Sequence, residues 1–317
     1  MFGQNPYSQQ NTSFLEEIKA FFNKKDSLSR LMLINISVFL LINVLGLLMF
    51  LFNIDQEFVS ETGVYRLTYY LSLPSNLGAL MWRPWSLITY MFVQEDIFHL
   101  FFNMLILYVG GSIFNRFVGQ DKLLSTYLFS GIIGALLYII TFNIFPAFQN
   151  VVGGSFAIGS SASVLGIFIA AATYVPNLPM NLIFLGNVKL KYIAILFIVL
   201  DFINIRSGNA GGHIAHIGGA LYGYFFISQL KKNVDLSRIF NQWWKSVTAY
   251  FYSNNKNSQF KNVHKNPKPP RNDDDYLKTK NEYQAEIDSI LEKIKRSGYE
   301  SLSTSEKQKL FDASKRN

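Results

Sequence analysis

Three of the four histidines in this sequence, His99, His213 and His216, lie at the ends of strongly apolar stretches, as does the serine Ser161. Ionisable and polar groups are costly in hydrocarbon, so each is a functional candidate whose partner should be sought. A serine hydroxyl becomes a nucleophile when a base within hydrogen-bond reach takes its proton, and imidazole can be that base. Ser161 sits in Gly159-Ser160-Ser161-Ala162, behind the uncharged run Val151-Val152-Gly153-Gly154-Ser155. At a helix N-terminus it would have unpaired backbone N–H groups beside it, suited to a developing oxyanion. His216 lies in Ala215-His216-Ile217-Gly218-Gly219, and the Gly219-x-x-x-Gly223 spacing gives a smooth face for close helix contact. His213, one turn earlier on the same face, competes with it as the base. His99 and Asn103, four residues apart, share a helix face, and both can donate hydrogen bonds to an oxyanion. Plainer readings exist for all of these. Ser160, Ser161 and Ser163 could be packing or capping residues, and His99 with Asn103 could be an interhelical hydrogen-bond pair.

The elements that must position these residues are membrane helices. Half of the 317 residues are hydrophobic and 16% are charged, against roughly 25% charged in an ordinary soluble domain. The apolar runs do not alternate, which argues against a β-barrel. Their lengths predict an all-α polytopic bundle of six transmembrane helices at about 30–52, 98–117, 123–144, 160–175, 191–205 and 213–230. The fourth and fifth are short, as helices buried in a bundle or dipping into a water-filled cavity can be. The even-numbered spans enter from one side, which brings His99, Ser161, His213 and His216 to a similar depth near the outer leaflet, the convergence nucleophilic catalysis requires.

Orientation follows from lysine and arginine. The segment with Lys19, Lys24, Lys25 and Arg30, the loops with Arg116 and Lys122 and with Lys189 and Lys191, and the tail from Lys231-Lys232 are basic. They are expected in the cytoplasm with both termini, and the net charge of +8 is read as topology rather than nucleic-acid binding. The first apolar run begins near Leu31, too deep for a cleaved secretory signal. The long segment 53–97, with Met81-Trp82-Arg83-Pro84-Trp85, is expected in the membrane surface.

The chain thus divides into a cytoplasmic segment 1–29, a membrane domain 30–230, a juxtamembrane amphipathic segment and linker 231–275, and a helical hairpin 276–317. Trp243, Trp244, Tyr250 and Phe251 suggest a helix on the inner leaflet, and Lys265-Asn266-Pro267-Lys268-Pro269-Pro270 a linker. Ile287, Ile290, Leu291 and Ile294 recur at helical spacing before a stop at Gly298, and Ser303 with Glu306 forms a capping box. The absence of cysteine excludes disulfides, thiolate nucleophiles and cysteine metal sites. No H-E-x-x-H occurs, and neither metal nor cofactor is expected.

Between about 80 and 225 the sequence resembles the rhomboid intramembrane proteases. Trp82-Arg83 matches the family's first-loop motif, His99-Leu100-Phe101-Phe102-Asn103 its H-x-x-x-N pattern, Gly159-Ser160-Ser161-Ala162 its active-site motif, and Ala215-His216-Ile217-Gly218-Gly219 with Gly223 its sixth-helix motif. The resemblance implies Ser161 as nucleophile, His216 as general base and acid, and His99, Asn103 and the Ser161 backbone N–H as oxyanion hole. It implies a dyad that needs no aspartate. No acidic residue lies near Ser161 or His216 in sequence, and Asp201 falls within the fifth span. Expected substrates are single-pass transmembrane proteins entering laterally from the bilayer; no nucleic-acid partner is expected, and oligomeric state is open. Asn115 stands where many relatives carry glutamate, and Leu165 where they carry an aromatic. The tail is similar to those of some bacterial rhomboids, notably of the Bacteroidetes type, which implies a bacterial inner-membrane protein. Competing readings are a catalytically silent rhomboid-like protein that binds transmembrane helices and, less favoured, a transporter.

Overall fold

A computed structural model of the chain describes residues 14–24, 26–54, 65–94, 96–182, 186–206, 208–252 and 273–314. Two units emerge, residues 1–253 and 254–317. The first described helix is α1 (Phe14–Asn23), within the segment 1–29, whose Phe21 ring meets Tyr108 edge-on at 5.4 Å. Six helices follow at the expected spans: α2 (Ser27–Leu51), then, after the first loop, Ile97–Phe117, Leu123–Ile144, Ser161–Tyr174, Leu190–Asn204 and Ala210–Leu230. Three, Ser27–Leu51, Ile97–Phe117 and Gln120–Ile144, are long and apolar enough by themselves to cross a membrane. Large apolar side chains such as Leu40, Leu41, Phe101, Phe102, Ile195 and Phe202 point outward. Water would penalise that arrangement; hydrocarbon does not.

Among its described residues the first loop holds the short helices α3 (Arg66–Leu71), α4 (Leu77–Trp82) and α5 (Ser86–Thr89), with the strand β1 (Leu73–Pro74) between α3 and α4. Arg83 is 4% exposed; its Nη1 donates to the Tyr69 carbonyl at 2.6 Å and its guanidinium lies 4.3 Å above the Tyr69 ring. Trp82, 84% exposed, points away from the fold. Thus of the Trp82-Arg83 pair the arginine pins the loop from inside and the tryptophan is free to meet lipid. Strand β1 pairs antiparallel with β2 (Phe156–Ala157), Leu73 opposite Ala157, and Ser75 Oγ donates to the Val152 carbonyl at 2.7 Å. This ties the loop to the chain just ahead of Ser161.

The remaining spans are α6 (Ile97–Phe117), α7 (Leu123–Ile144), α8 (Ser161–Tyr174), α9 (Leu190–Asn204) and α10 (Ala210–Leu230), with the hairpin β3 (Pro179–Leu182) and β4 (Gly186–Lys189) between α8 and α9. Helix α8 sits at the centre: Ala162 to Ala172 are all buried. Its 14 residues rise about 21 Å, short of the roughly 30 Å hydrocarbon core.

Close backbone approach joins α8 to α10. A Cβ on Gly219 would lie 2.0 Å from the Ala162 carbonyl oxygen, and one on Gly223 2.1 Å from that of Gly166. At the far end of α8, Lys231 Nζ donates to the Thr173 carbonyl at 2.7 Å, and the Lys191 N–H to that of Pro176 at 3.1 Å. Lys122 lies 3.9 Å from the Asp235 carboxylate, linking the loop after α6 to the tail after α10.

Helix α11 (Ser237–Tyr252) follows, with Ile239, Trp243 and Trp244 exposed. The linker motif Lys265–Pro270 lies outside the described residues. In the second unit α12 (Asp273–Ser297) ends before Gly298 at φ +80°, and α13 (Thr304–Ser314) returns. Ile287 and Ile290 are buried, as is Leu302, while Leu291 is exposed, so the apolar stripe is narrower than its spacing suggests. The capping box is present: the Ser303 N–H donates to Glu306 Oε2 at 2.7 Å and the Glu306 N–H to Ser303 Oγ at 3.4 Å.

Candidate active site

Ser161 is the first residue of α8, and the turn before it is made by Gly159 at φ +121°. That backbone conformation favours glycine, and space demands it as well: a Cβ there would stand 3.0 Å from His99 Cε1 and 3.5 Å from Ser161 Oγ. The Gly159 N–H donates to the Tyr90 carbonyl at 2.9 Å, which fixes the turn against the first loop. Ser160 holds the N-cap position without capping; its hydroxyl instead accepts from Gln94 Nε2 at 3.2 Å. Ser161 is left half-buried on a cavity of about 220 Å3 whose wall includes His99, Asn103, Leu165, Asp201 and His216.

The close approach of α8 and α10 brings His216 Nε2 within 2.6 Å of Ser161 Oγ. Of the two histidines that spacing left open, His216 is therefore the one that reaches the serine. Its other nitrogen, Nδ1, lies 2.8 Å from Asp201 Oδ1 on α9. This corrects the expectation that no acid accompanies the pair. The carboxylate is fifteen residues away in sequence but adjacent across the α9–α10 packing. A carboxylate accepts only, so the shared proton sits on His216 Nδ1 and the Nε2 lone pair faces the Ser161 hydroxyl. The arrangement can accept a proton from serine, hold the resulting imidazolium beside an anion, and return the proton to a leaving group.

His213 Nδ1 also lies 2.8 Å from Asp201 Oδ1, so one carboxylate oxygen accepts from two imidazoles. Asn103 is buried and donates from Nδ2 to Gln94 Oε1 at 2.9 Å. Gln94 Nε2 in turn donates to Asn35 Oδ1 at 3.3 Å, and Asn35 Nδ2 to Tyr127 Oη at 3.2 Å. This buried chain joins α2, the first loop, α6 and α7 behind the cavity. Asp96 caps α6 by accepting from the His99 N–H at 2.9 Å, which sets the helix start that carries His99 to the cavity.

Sequence reasoning did not single out Asp201, Gln94 or Asn35 for the site. A signal for Asp201 existed, since it is the lone acid in an apolar helix, where the cost of a charge points to a partner. Of the two departures, Leu165 lines the cavity, and Asn115 lies in the last turn of α6 rather than after it, its Oδ1 buried with no hydrogen-bond partner among the described residues.

Residues 81–232, from the end of α4 to the close of α10, match the Rhomboid domain family. The segment is thus similar to a Rhomboid domain. It holds every residue of the cavity wall and both members of the Ser161–His216 pair. Among curated proteins, the chain is 25% identical over 139 residues to the zebrafish (Danio rerio) presenilin-associated rhomboid-like protein A, mitochondrial, covering 43% of this chain and 35% of that protein. It is 27% identical over 170 residues to the Homo sapiens presenilin-associated rhomboid-like protein, mitochondrial, covering 50% and 40%. To the rhomboid protease GluP of Bacillus subtilis (strain 168) it is 30% identical over 151 residues, covering 46% and 26%. The chain thus spans less than half the length of these relatives, and they do not single out the Bacteroidetes source that the tail suggested. Beyond that segment, residues 272–316 match a separate family of unknown function.

Proposed function

We propose that this chain is an intramembrane serine endopeptidase that cuts single-pass transmembrane proteins. The observation that carries the proposal is the 2.6 Å approach of His216 Nε2 to Ser161 Oγ beside a cavity at the start of a short, enclosed helix. His216 takes the Ser161 proton as Oγ attacks the scissile carbonyl. The tetrahedral oxyanion receives hydrogen bonds from the Ser161 backbone N–H, His99 and the second amide hydrogen of Asn103. As the C–N bond breaks, His216 protonates the leaving amine. A water, deprotonated by the same imidazole, then hydrolyses the acyl-enzyme and restores the serine. Asp201 holds the imidazole in the productive tautomer throughout, so the working unit is a triad rather than a dyad.

The basic loops and tail gather at the end of the bundle away from Ser161, which supports a cytoplasmic position for them and for both termini in a bacterial inner membrane. Digestion of the C-terminal tail in inside-out vesicles, but not in intact cells, checks that orientation. The segments 1–29, 231–275 and 276–317 flank the membrane domain on this reading.

A fluorophosphonate probe tests the chemistry directly. Wild type and Ser155→Ala should label at the active site, while Ser161→Ala should lose labelling by at least about 1,000-fold. Co-expressed single-pass reporters should be cut only by the labelling forms. Folded wild type that neither labels nor cleaves would instead support a silent helix-binding protein.

A further inference from the structure

His213, His216 and Asp201 make more of the site than a triad requires. His213 does not touch the serine, yet its Nδ1 and that of His216 both converge on the same Asp201 oxygen, each at 2.8 Å. The three donor atoms lie within 4.8 Å of one another. Around a tetrahedral zinc ion, ligand atoms about 2.0–2.2 Å from the metal stand roughly 3.3 Å apart. The present separations, 2.8 Å from each imidazole nitrogen to the carboxylate oxygen and no more than 4.8 Å between any two donor atoms, bracket that spacing. The His213 and His216 side chains are each 20% exposed and that of Asp201 11%, and the adjoining cavity offers both a way in and room for a water as fourth ligand. Imidazole and carboxylate are ordinary zinc ligands, and an Asp-His-His set with an open position suits Zn2+.

We propose that Asp201, His213 and His216 form a zinc site that switches the enzyme off by inverting the tautomer of its own base. Without metal, Asp201 holds the proton on His216 Nδ1, so the Nε2 lone pair faces Ser161. Zinc occupies Nδ1, and the neutral ring's single proton then resides on Nε2, where it donates to Ser161 Oγ, as the free N–H of a metal-bound imidazole donates to a neighbour. The ring remains beside the serine but can no longer accept its proton. Inhibition therefore needs no displacement of His216 and reverses when the metal is removed. His213 supplies the ligand that turns a catalytic carboxylate–imidazole pair into a chelate. The inhibitory consequence rests on the serine protease reading; the binding of zinc does not.

The experiment uses the full chain in detergent. Calorimetric titration of Ser161→Ala with Zn2+ should give one site per chain, with X-ray absorption at the zinc edge showing two imidazoles and oxygen ligands. In wild type, Zn2+ should abolish fluorophosphonate labelling of Ser161, and EDTA should restore it. His213→Asn can still donate to Asp201 but lacks the imidazole ligand, so it should label at close to the wild-type rate without zinc and need at least about tenfold more zinc for inhibition. His213→Gln, a second such variant, covers the case where the first fails to fold. The inference is overturned if no zinc binds, if zinc binds with unchanged affinity in both His213 variants, or if bound zinc leaves labelling intact. Zinc-free wild type that never labels but binds one zinc through two imidazoles would sink the protease reading while retaining the metal site.

Discussion

The Asp201 carboxylate meets His216 from a neighbouring helix, and what it does there is separable from packing. With an aliphatic Leu165 one turn after the nucleophile, no aromatic face is available from that position to hold the imidazole. A hydrogen bond to Nδ1 fixes both the ring plane and the tautomer, a constraint on the barrier rather than on substrate binding. Asp201→Ala is therefore expected to lower kcat about 100-fold while KM changes less than about threefold. Asp201→Asn, which keeps one acceptor but offers a competing donor, should fall between Ala and wild type. Steady-state cleavage of a transmembrane reporter gives both constants. An unchanged kcat in folded Asp201→Ala would leave the residue only a packing role. Sequence reading singled out Ser161 and His216, the two side chains that meet at 2.6 Å, because their types and their small-residue settings are local. It left His213 as an alternative and missed Asp201, because residues fifteen apart become neighbours only through interhelical packing.

At the scale of elements, the spans were legible to within three residues because uninterrupted apolar runs bounded by polar residues have one structural outcome in lipid, even where, as in α8 and α9, they are too short to cross alone. The two-residue pairing of β1 with β2 was not legible: four residues carry no period, and the pairing depends on where the first loop folds back. Helix α1 was overlooked because Glu16, Glu17 and Lys19 break its apolar run along the sequence, although at helical spacing its apolar residues share one face. The α8–α10 contact, in contrast, was signalled by Gly219 and Gly223, and it is the contact that sets the distance between serine and imidazole. A methyl on Gly219 would meet the Ala162 carbonyl oxygen at 2.0 Å, a backbone atom that cannot turn aside. Gly219→Ala should therefore push the helices apart, costing roughly 1–3 kcal/mol of stability and lowering fluorophosphonate labelling even where the protein stays folded. Gly154→Ala, with no atom within 4 Å of the added methyl, is the control. Thermal melts in detergent compare the two, and equal melting temperatures would show that α8 and α10 yield freely.

Over the whole molecule, the membrane unit and the tail answer to different physics. The first is held by close helix contact in an apolar setting; the second, residues 273–314, by caps and ion pairs around a small core of Ile287, Ile290 and Leu302. Its hairpin was readable because stop and start signals are local: Gly298 ends α12, and the Ser303–Glu306 box opens α13. Lys309 and Glu286 bridge the two helices, as do Lys293 and Glu306, the latter pair at 2.9 Å. The Lys293 ammonium, with the Ser303 backbone N–H and hydroxyl, holds the Glu306 carboxyl at about 2, below the ordinary 4.5. A depressed carboxyl contributes stability that is fully present above its unfolded value and is lost as pH falls through the folded one. The start of α13 should consequently loosen between about pH 4.5 and 2, sooner in high salt because the pair is exposed. Amide exchange at Ser303 in the full chain reports it, since that N–H is the one Glu306 accepts. Glu306→Gln should exchange faster at neutral pH and lose the acid dependence. If the variant keeps the wild-type pH profile, other carboxylates such as Glu286 carry the tail's response to acid.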